Sequence, residues 1–215
     1  MPTTADKIAT ALREIAPDGK LFGEDVPLIN SLAGNWDARQ PPTPAAALAW
    51  GAKVDLAFRA RARGVAANIG VDPSDLMTCM AWESGRTFSA AVKNMAGSGA
   101  TGLIQFMPTT AISLGTTVAL LAGMTAVQQL DYVEKYFIPY KGKLHDLGDL
   151  YMAILWPPAI GKPLEYVLWD QDTRPTTYRQ NSGLDIDKDG NITKAECCAK
   201  LFAMKAEGMK VGNVA

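Results

Sequence analysis

Residues 82–108, WESGRTFSAAVKNMAGSGATGLIQFMP, concentrate the chemistry of this chain and decide how the rest is read. A carboxylate, Glu83, ends an apolar segment, a loop of small residues follows, and a second apolar run, LIQFM, carries a single amide, Gln105. Just upstream, Asp72-Pro73-Ser74-Asp75 is a helix-start signature. Asp72 can cap, Pro73 suits the first helical position, and Asp75 adds negative charge to the first turn. From there Leu76, Cys79, Met80 and Glu83 fall on one face at helical spacing, and Gly85 supplies a stop. Glu83 is therefore expected at a helix C-terminus, at the end of an apolar face, where burial and the helix dipole both raise a carboxyl pKa. A carboxyl still protonated near neutral pH is what general-acid cleavage of a glycosidic bond requires. The same periodicity allows a solvated Glu at a fraying helix end, with Cys79 as a structural thiol.

The residues around Glu83 decide between these. Glu83-Ser84, then Gly99-Ala100-Thr101-Gly102-Leu103-Ile104-Gln105-Phe106-Met107-Pro108, then Thr110-Ala111, resembles the first two motifs of soluble lytic transglycosylases and goose-type lysozymes. The small residues let a sugar chain approach the backbone, Gln105 offers an amide donor and acceptor, and Phe106 and Met107 offer apolar surface to sugar faces. The resemblance, which spans about residues 54–178, implies a lysozyme-like helical domain that cleaves peptidoglycan glycan strands at the MurNAc-GlcNAc bond. It implies Glu83 as general acid and base, with Ser84, Gly102, Gln105, Phe106 and Met107 binding substrate. The family's third motif, Ala-Tyr-Asn-x-Gly, is replaced here by Ala153-Ile154-Leu155-Trp156-Pro157, so its roles are not carried over to Ile154 and Leu155. Tyr151 is a cleft candidate on that helix, and Tyr178 resembles a tyrosine that lies near the family's catalytic Glu.

Between Glu83 and Asp131 there is no Asp or Glu. Hydrolytic glycosidases usually need two carboxylates, so the transglycosylase route implied by the resemblance fits better: one acid acts twice while the sugar's own 6-hydroxyl closes a 1,6-anhydro ring. Asp131 or Asp146, folded into place, would instead make a hydrolytic lysozyme.

A second motif fills residues 185–196, DIDKDGNITKAE. Asp185, Asp187 and Asp189 stand at positions one, three and five, Gly190 at six, Asn191 at seven with its carbonyl, and Glu196 at twelve. This is the EF-hand loop pattern, whose hard oxygen ligands suit calcium (Ca2+). Residues 195–209 can form the exiting helix. Arg179-Gln180-Asn181-Ser182-Gly183 is poor helix on the entering side, so the expectation is a half-formed hand that clips the C-terminal segment to the body.

Outward from these motifs the chain reads as mostly α. Residues 3–16 form an expected amphipathic helix, and 38–44, with three prolines, a linker. Residues 45–70 form a helix with Val54, Ala57, Phe58, Ala62 and Val65 inward. Pro108 opens a short helix, Thr125 to Gln128 matches a capping box, and Asp146 caps a helix that Pro157 ends. The expected division is an N-terminal helical arm and linker over 1–44, a catalytic domain over 45–178 and a calcium segment over 179–215.

The 215 residues are 48% hydrophobic and 20% charged, enough for one good core. A net charge of −1 leaves no basic footprint for nucleic acid, and no apolar run reaches membrane-spanning length. A single histidine excludes His-rich zinc sites. Three cysteines, two adjacent, do not make a disulfide framework. The first twenty residues lack the layout of a secretory signal. The expectation is thus a protein made in the cytoplasm that reaches the cell wall by release or delivery, as an endolysin, tail component or effector would, with any delivery or immunity partner unspecified. Two competing readings are a non-catalytic calcium-binding virion or interaction module and a cysteine peptidase using Cys79 and His145. The latter is disfavoured because Cys79 falls mid-helix, away from the helix start that stabilises a thiolate.

Overall fold

Eight α-helices, four short 3-10 turns and one two-stranded sheet make up the described residues of this computed structural model, which are 47–95 and 97–215. The helices are α1 (Leu56–Ile69), α2 (Pro73–Glu83), α3 (Pro108–Ser113), α4 (Val118–Ala122), α5 (Ala126–Phe137), α6 (Leu147–Leu155), α7 (Pro175–Asn181) and α8 (Lys194–Gly208). Strands β1 (Val167–Asp170) and β2 (Asn191–Thr193) pair antiparallel, with Trp169 opposite Ile192 and Asp170 opposite Asn191. The chain is mostly α, as the sequence predicts. The arm and linker expected over 1–44 lie outside the described residues. No helix among them is long and apolar enough to cross a membrane.

The architecture is organised around α2. Asp72 accepts hydrogen bonds from the Ser74 and Asp75 amides at 2.7 and 3.2 Å, and Pro73 occupies the first turn, so the helix starts where the sequence places it. Every residue from Ser74 to Ala81 is buried, which makes α2 a central helix rather than one with a single inward stripe. It packs against α1, α6 and α8, and α1 also packs on α5. The other two side-chain caps hold as well: Thr125 and Gln128 form a reciprocal capping box at α5, and Asp146 accepts the Asp149 amide at 2.8 Å at α6.

Two expectations need correction. The helix predicted over 45–70 begins only at Leu56, capped by Asp55, whose carboxylate accepts the Phe58 amide at 2.8 Å. Leu48 and Trp50 are instead drawn into contacts with the C-terminal end. The Trp50 amide donates to Gly208 and its indole to Met204, while Leu48 donates to Ala215 at 2.7 Å. A Cβ at Gly208 would lie 2.4 Å from the Trp50 indole nitrogen, so that seat requires glycine. Within α1, Phe58, Ala62 and Val65 are buried as expected, but Ala57 is exposed.

Second, residues 179–215 are not a separate segment. Residues 47–215 form one compact unit, because α8 lies against α2 and α6. Its Lys194 ammonium reaches Asp149 on α6 at 2.6 Å, with both side chains almost fully buried. Asp149 stands in the first turn of α6, where an acid suits the helix dipole. Burial works against its ionisation, yet the Lys194 hydrogen bond and the Gly161 and His145 amides hold its carboxyl below the usual range.

Candidate active site and acidic loop

Glu83 is the last residue of α2, where that buried helix reaches partial exposure. Burial pushes its carboxyl from an ordinary 4.5 up to about 7. No ion pair to Glu83 is found among the described residues. The phenols of Tyr136 on α5 and Tyr151 on α6 are both raised, first by burial, with the Glu83 charge a further contributor. Two helices thus flank the acid with neutral, hydrogen-bonding walls. Tyr136 donates to the Ala153 carbonyl at 2.7 Å.

The backbone after Glu83 is strained. Of five non-glycine residues with positive φ among the described residues, three fall here: Arg86 at 66°, Phe88 at 49° and Gln105 at 52°. Such conformations persist where surrounding contacts over-determine them. Ser84 supplies one such contact: its hydroxyl donates to the Met80 carbonyl at 2.6 Å and accepts the Phe88 amide at 3.0 Å. The 101–106 stretch folds into a tight two-rung turn, with Thr101 and Phe106 exchanging both backbone hydrogen bonds.

What fixes that turn is a residue the sequence reading passed over. Gln129, on α5, is fully buried. Its carbonyl accepts the Leu103 amide at 2.7 Å, while its amide donates to the Ala90 and Leu121 carbonyls at 3.1 and 3.0 Å. One side chain therefore holds three segments of otherwise orphaned backbone. Gly102 is the complement: a Cβ there would lie 2.3 Å from the Gln129 carbonyl oxygen, and its φ of +87° already disfavours a side chain. Gly102→Ala is expected to destabilise the protein by roughly 2–4 kcal/mol, through overpacking plus backbone strain. Urea unfolding reads this directly, and a change below measurement error would refute the role of Gln129 as clamp.

The expected substrate contacts divide. Met107 is exposed and Gln105 partly so. The Gln105 amide nitrogen is turned back to the Gly102 and Val92 carbonyls at 3.1 and 3.4 Å. Four assignments are corrected. Ser84 is buried and its hydroxyl is spent on the turn. Gly102 is buried beneath Gln129. Phe106 is core, edge-on to Tyr136 at 6.3 Å. Tyr178 serves the acidic loop, donating to Asp185 at 2.6 Å. Tyr151 is buried on α6, near enough for the Glu83 charge to help raise its phenol after burial.

Beside the Gly/Ser loop a cavity of about 220 Å3 is lined by Lys93, Gly99, Thr101 and residues of α4. Glu83 and Gln105 are not among its lining residues. The alternative second carboxylates are engaged elsewhere: Asp131 is exposed and paired with Arg61 at 2.7 Å, and Asp146 caps α6. Cys79 is fully buried, and burial pushes its thiol well above the ordinary value, so it is no nucleophile.

In the acidic loop, carboxylate oxygens of Asp185, Asp187 and Asp189 lie within 4.8 Å of one another. Asp185 is buried and accepts the Lys188 and Gly190 amides at 2.7 and 3.2 Å. The Tyr178 hydroxyl, with those amides, holds its carboxyl below the usual carboxylate range. Gly190 adopts φ +86°, the turn its position requires. Glu196 stands apart from the three: its carboxylate accepts the Ile186 and Thr193 amides at 2.7 and 2.9 Å and completes a capping box on α8. The entering side is also more complete than expected. Helix α7 and a 3-10 turn, Ser182–Leu184, lead into Asp185, and α8 leaves the loop, so helix–loop–helix connectivity is present. The donor set, all oxygen and with a buried first carboxylate, fits a hard divalent cation.

No protein-family model matches this chain, and no curated protein matches it.

Proposed function

We propose that this protein cleaves the glycan strands of peptidoglycan as a lytic transglycosylase, on a lysozyme-like helical body that carries an EF-hand-like calcium loop. The observation that carries the reading is Glu83, a carboxyl lifted to about 7 by burial at the end of the central helix. At neutral pH a substantial fraction keeps its proton and can deliver it to a glycosidic oxygen. As that C–O bond breaks, the Glu83 carboxylate becomes the base. It takes the proton of the sugar's 6-hydroxyl while the hydroxyl oxygen closes on the anomeric carbon. The acid is regenerated and no water is consumed.

The engagement of Asp131 and Asp146 favours this single-acid route over hydrolysis, which needs a second carboxylate to form a glycosyl intermediate or activate water. Tyr136 and Tyr151 stay protonated at neutral pH and add no competing charge beside the acid. Calcium would be held by Asp185, Asp187 and Asp189, with the Asn191 carbonyl and Glu196 completing the set after Glu196 leaves its cap. There it neutralises a cluster of like charges and secures α7 and α8.

Mass spectrometry of peptidoglycan digested with the purified protein tests the reaction. Products ending in 1,6-anhydro sugars are expected. Products heavier by one water would mean a hydrolytic lysozyme, and undigested glycan would leave a non-catalytic calcium module.

A further inference from the structure

A cavity of about 410 Å3 is lined on one side by the segment joining α5 to α6 and on the other by the turn after α6, a size suited to a small ligand. Tyr140, Gly142, Lys143 and His145 line the first side, and Pro157, Ile160 and Gly161 the second. No carboxylate lines it, while an ammonium and the chain's single imidazole do. Lys143 and His145 are both exposed, and among the described residues neither side chain makes an ion pair or a hydrogen bond.

The acids nearest in sequence are engaged, and neither lines the cavity. Asp146 caps α6 by accepting the Asp149 amide at 2.8 Å, and the buried Asp149 carboxylate is paired with Lys194 at 2.6 Å. Asp149 also accepts the His145 amide at 3.3 Å and the Gly161 amide at 2.8 Å. One buried carboxylate thus ties the two sides of the cavity together by their backbones, and Lys194 cancels its charge. Walls set in advance lower the cost of binding. Gly142 and Gly161 adopt φ of 79° and 70°, and a Cβ on either would meet nothing within 4 Å, so the backbone at each side stands open to a ligand. The cavity begins one ring beyond the wall of the acid: Tyr140 and Tyr136 have ring centres 6.2 Å apart, and the Tyr136 phenol is raised by burial, then by Tyr140 and the Glu83 charge.

We propose that this cavity binds a carboxylate on the peptide branches of the glycan strand. The Lys143 ammonium is its charged donor, with His145 beside it, and Tyr140, Pro157 and Ile160 pack on the apolar part of the branch. An ammonium donates a stronger hydrogen bond to a carboxylate than a neutral group does, and the pair attract more in a partly dry cavity than in water. The consequence for cleavage rests on the reading of Glu83 given above: the preferred substrate is a strand that still carries its free peptide carboxylates.

The test follows the ring-proton signals of His145, which no other histidine can obscure. N-acetylmuramyl-L-alanyl-D-isoglutamine, with one free carboxylate, is titrated into the full chain, with its methyl ester and sodium acetate as comparisons. Saturable movement of the His145 signals is expected with the free acid and not with the ester or with acetate at equal concentration. Lys143→Met should weaken this binding roughly fivefold, and Lys143→Arg should retain it. Signals that stay in place, or that move equally with ester or acetate, overturn the proposal. In parallel, cleavage of peptide-bearing strands is compared with cleavage of the same strands after their carboxylates are converted to methylamides. The wild type should prefer the untreated strands, and Lys143→Met should lose most of that preference. Equal cleavage of both by the wild type overturns the proposal while the Glu83 reading stands. Binding of the free acid with no cleavage of either removes the Glu83 reading and keeps the carboxylate site.

Discussion

Glu83→Gln is expected to abolish glycan cleavage and, in the same protein, to raise stability above neutral pH. The loss follows from the role: a positioned general acid contributes roughly a hundred- to ten-thousand-fold in rate, and an amide has no proton to give at the glycosidic oxygen. The gain follows from linkage. The folded carboxyl titrates at about 7 against an ordinary 4.5, so the fold favours the protonated form. Below the unfolded value both states are neutral and Glu83 adds no penalty. As pH rises from there to the folded value the penalty grows, and above it the penalty is complete. An amide escapes it. At pH 8 the variant should be more stable by about 1–3 kcal/mol, allowing for the partial solvent contact of Glu83, with the advantage vanishing near pH 4. The wild-type rate should fall as pH rises through about 7, as the acid loses its proton. Urea titrations at the two pH values separate this from the ordinary alternative. A Glu at a frayed, solvated helix end would show no pH-dependent gain, and that result together with intact cleavage would end the enzymatic reading.

The features visible in the sequence are those set by neighbours along the chain. Asp72, Thr125 and Asp146 cap helices because a side chain two or three residues away can satisfy an end amide wherever the helix later packs. The acid at the end of α2 was legible for the same reason. What escaped depends on long-range contacts. Trp50 breaks the predicted 45–70 helix because it packs on Met204 and Gly208, residues far along the chain. Asp149 looks like an ordinary first-turn acid until Lys194 arrives from the other motif. Gln129 sits one residue from the cap residue Gln128 and nothing along the chain singles it out, yet three carbonyl and amide partners draw it into the core. Helix α7 has no side-chain cap to announce it, and its Tyr178 finds a partner only in Asp185. A motif pattern also cannot separate residues that touch a ligand from those that hold the motif in shape. Ser84, Gly102 and Phe106 belong to the second group.

Calcium removal should lower the melting temperature by roughly 10 °C, the change that about 4 kcal/mol of ligand linkage at a thousandfold excess over Kd produces in a unit of this size. The direction follows from the loop itself. Three carboxylates within 4.8 Å repel one another, and a divalent cation converts that repulsion into attraction. The size follows from where the loop is anchored. Asp185 is buried, Ile192 is buried opposite Trp169, and α8 packs along the central helix, so the loop cannot open without disturbing the core. Asp187 is exposed and contacts only the loop, through the Asp189 amide at 3.2 Å. Asp187→Asn should therefore remove most of the calcium-dependent shift while leaving the melting temperature in EGTA near that of the wild type. Asp185→Asn should lower both, since its carboxylate also serves Tyr178, Lys188 and Gly190. Superimposable wild-type melts with calcium and with EGTA would mean that the acidic loop is closed by its own amides and Glu196 cap, and needs no metal.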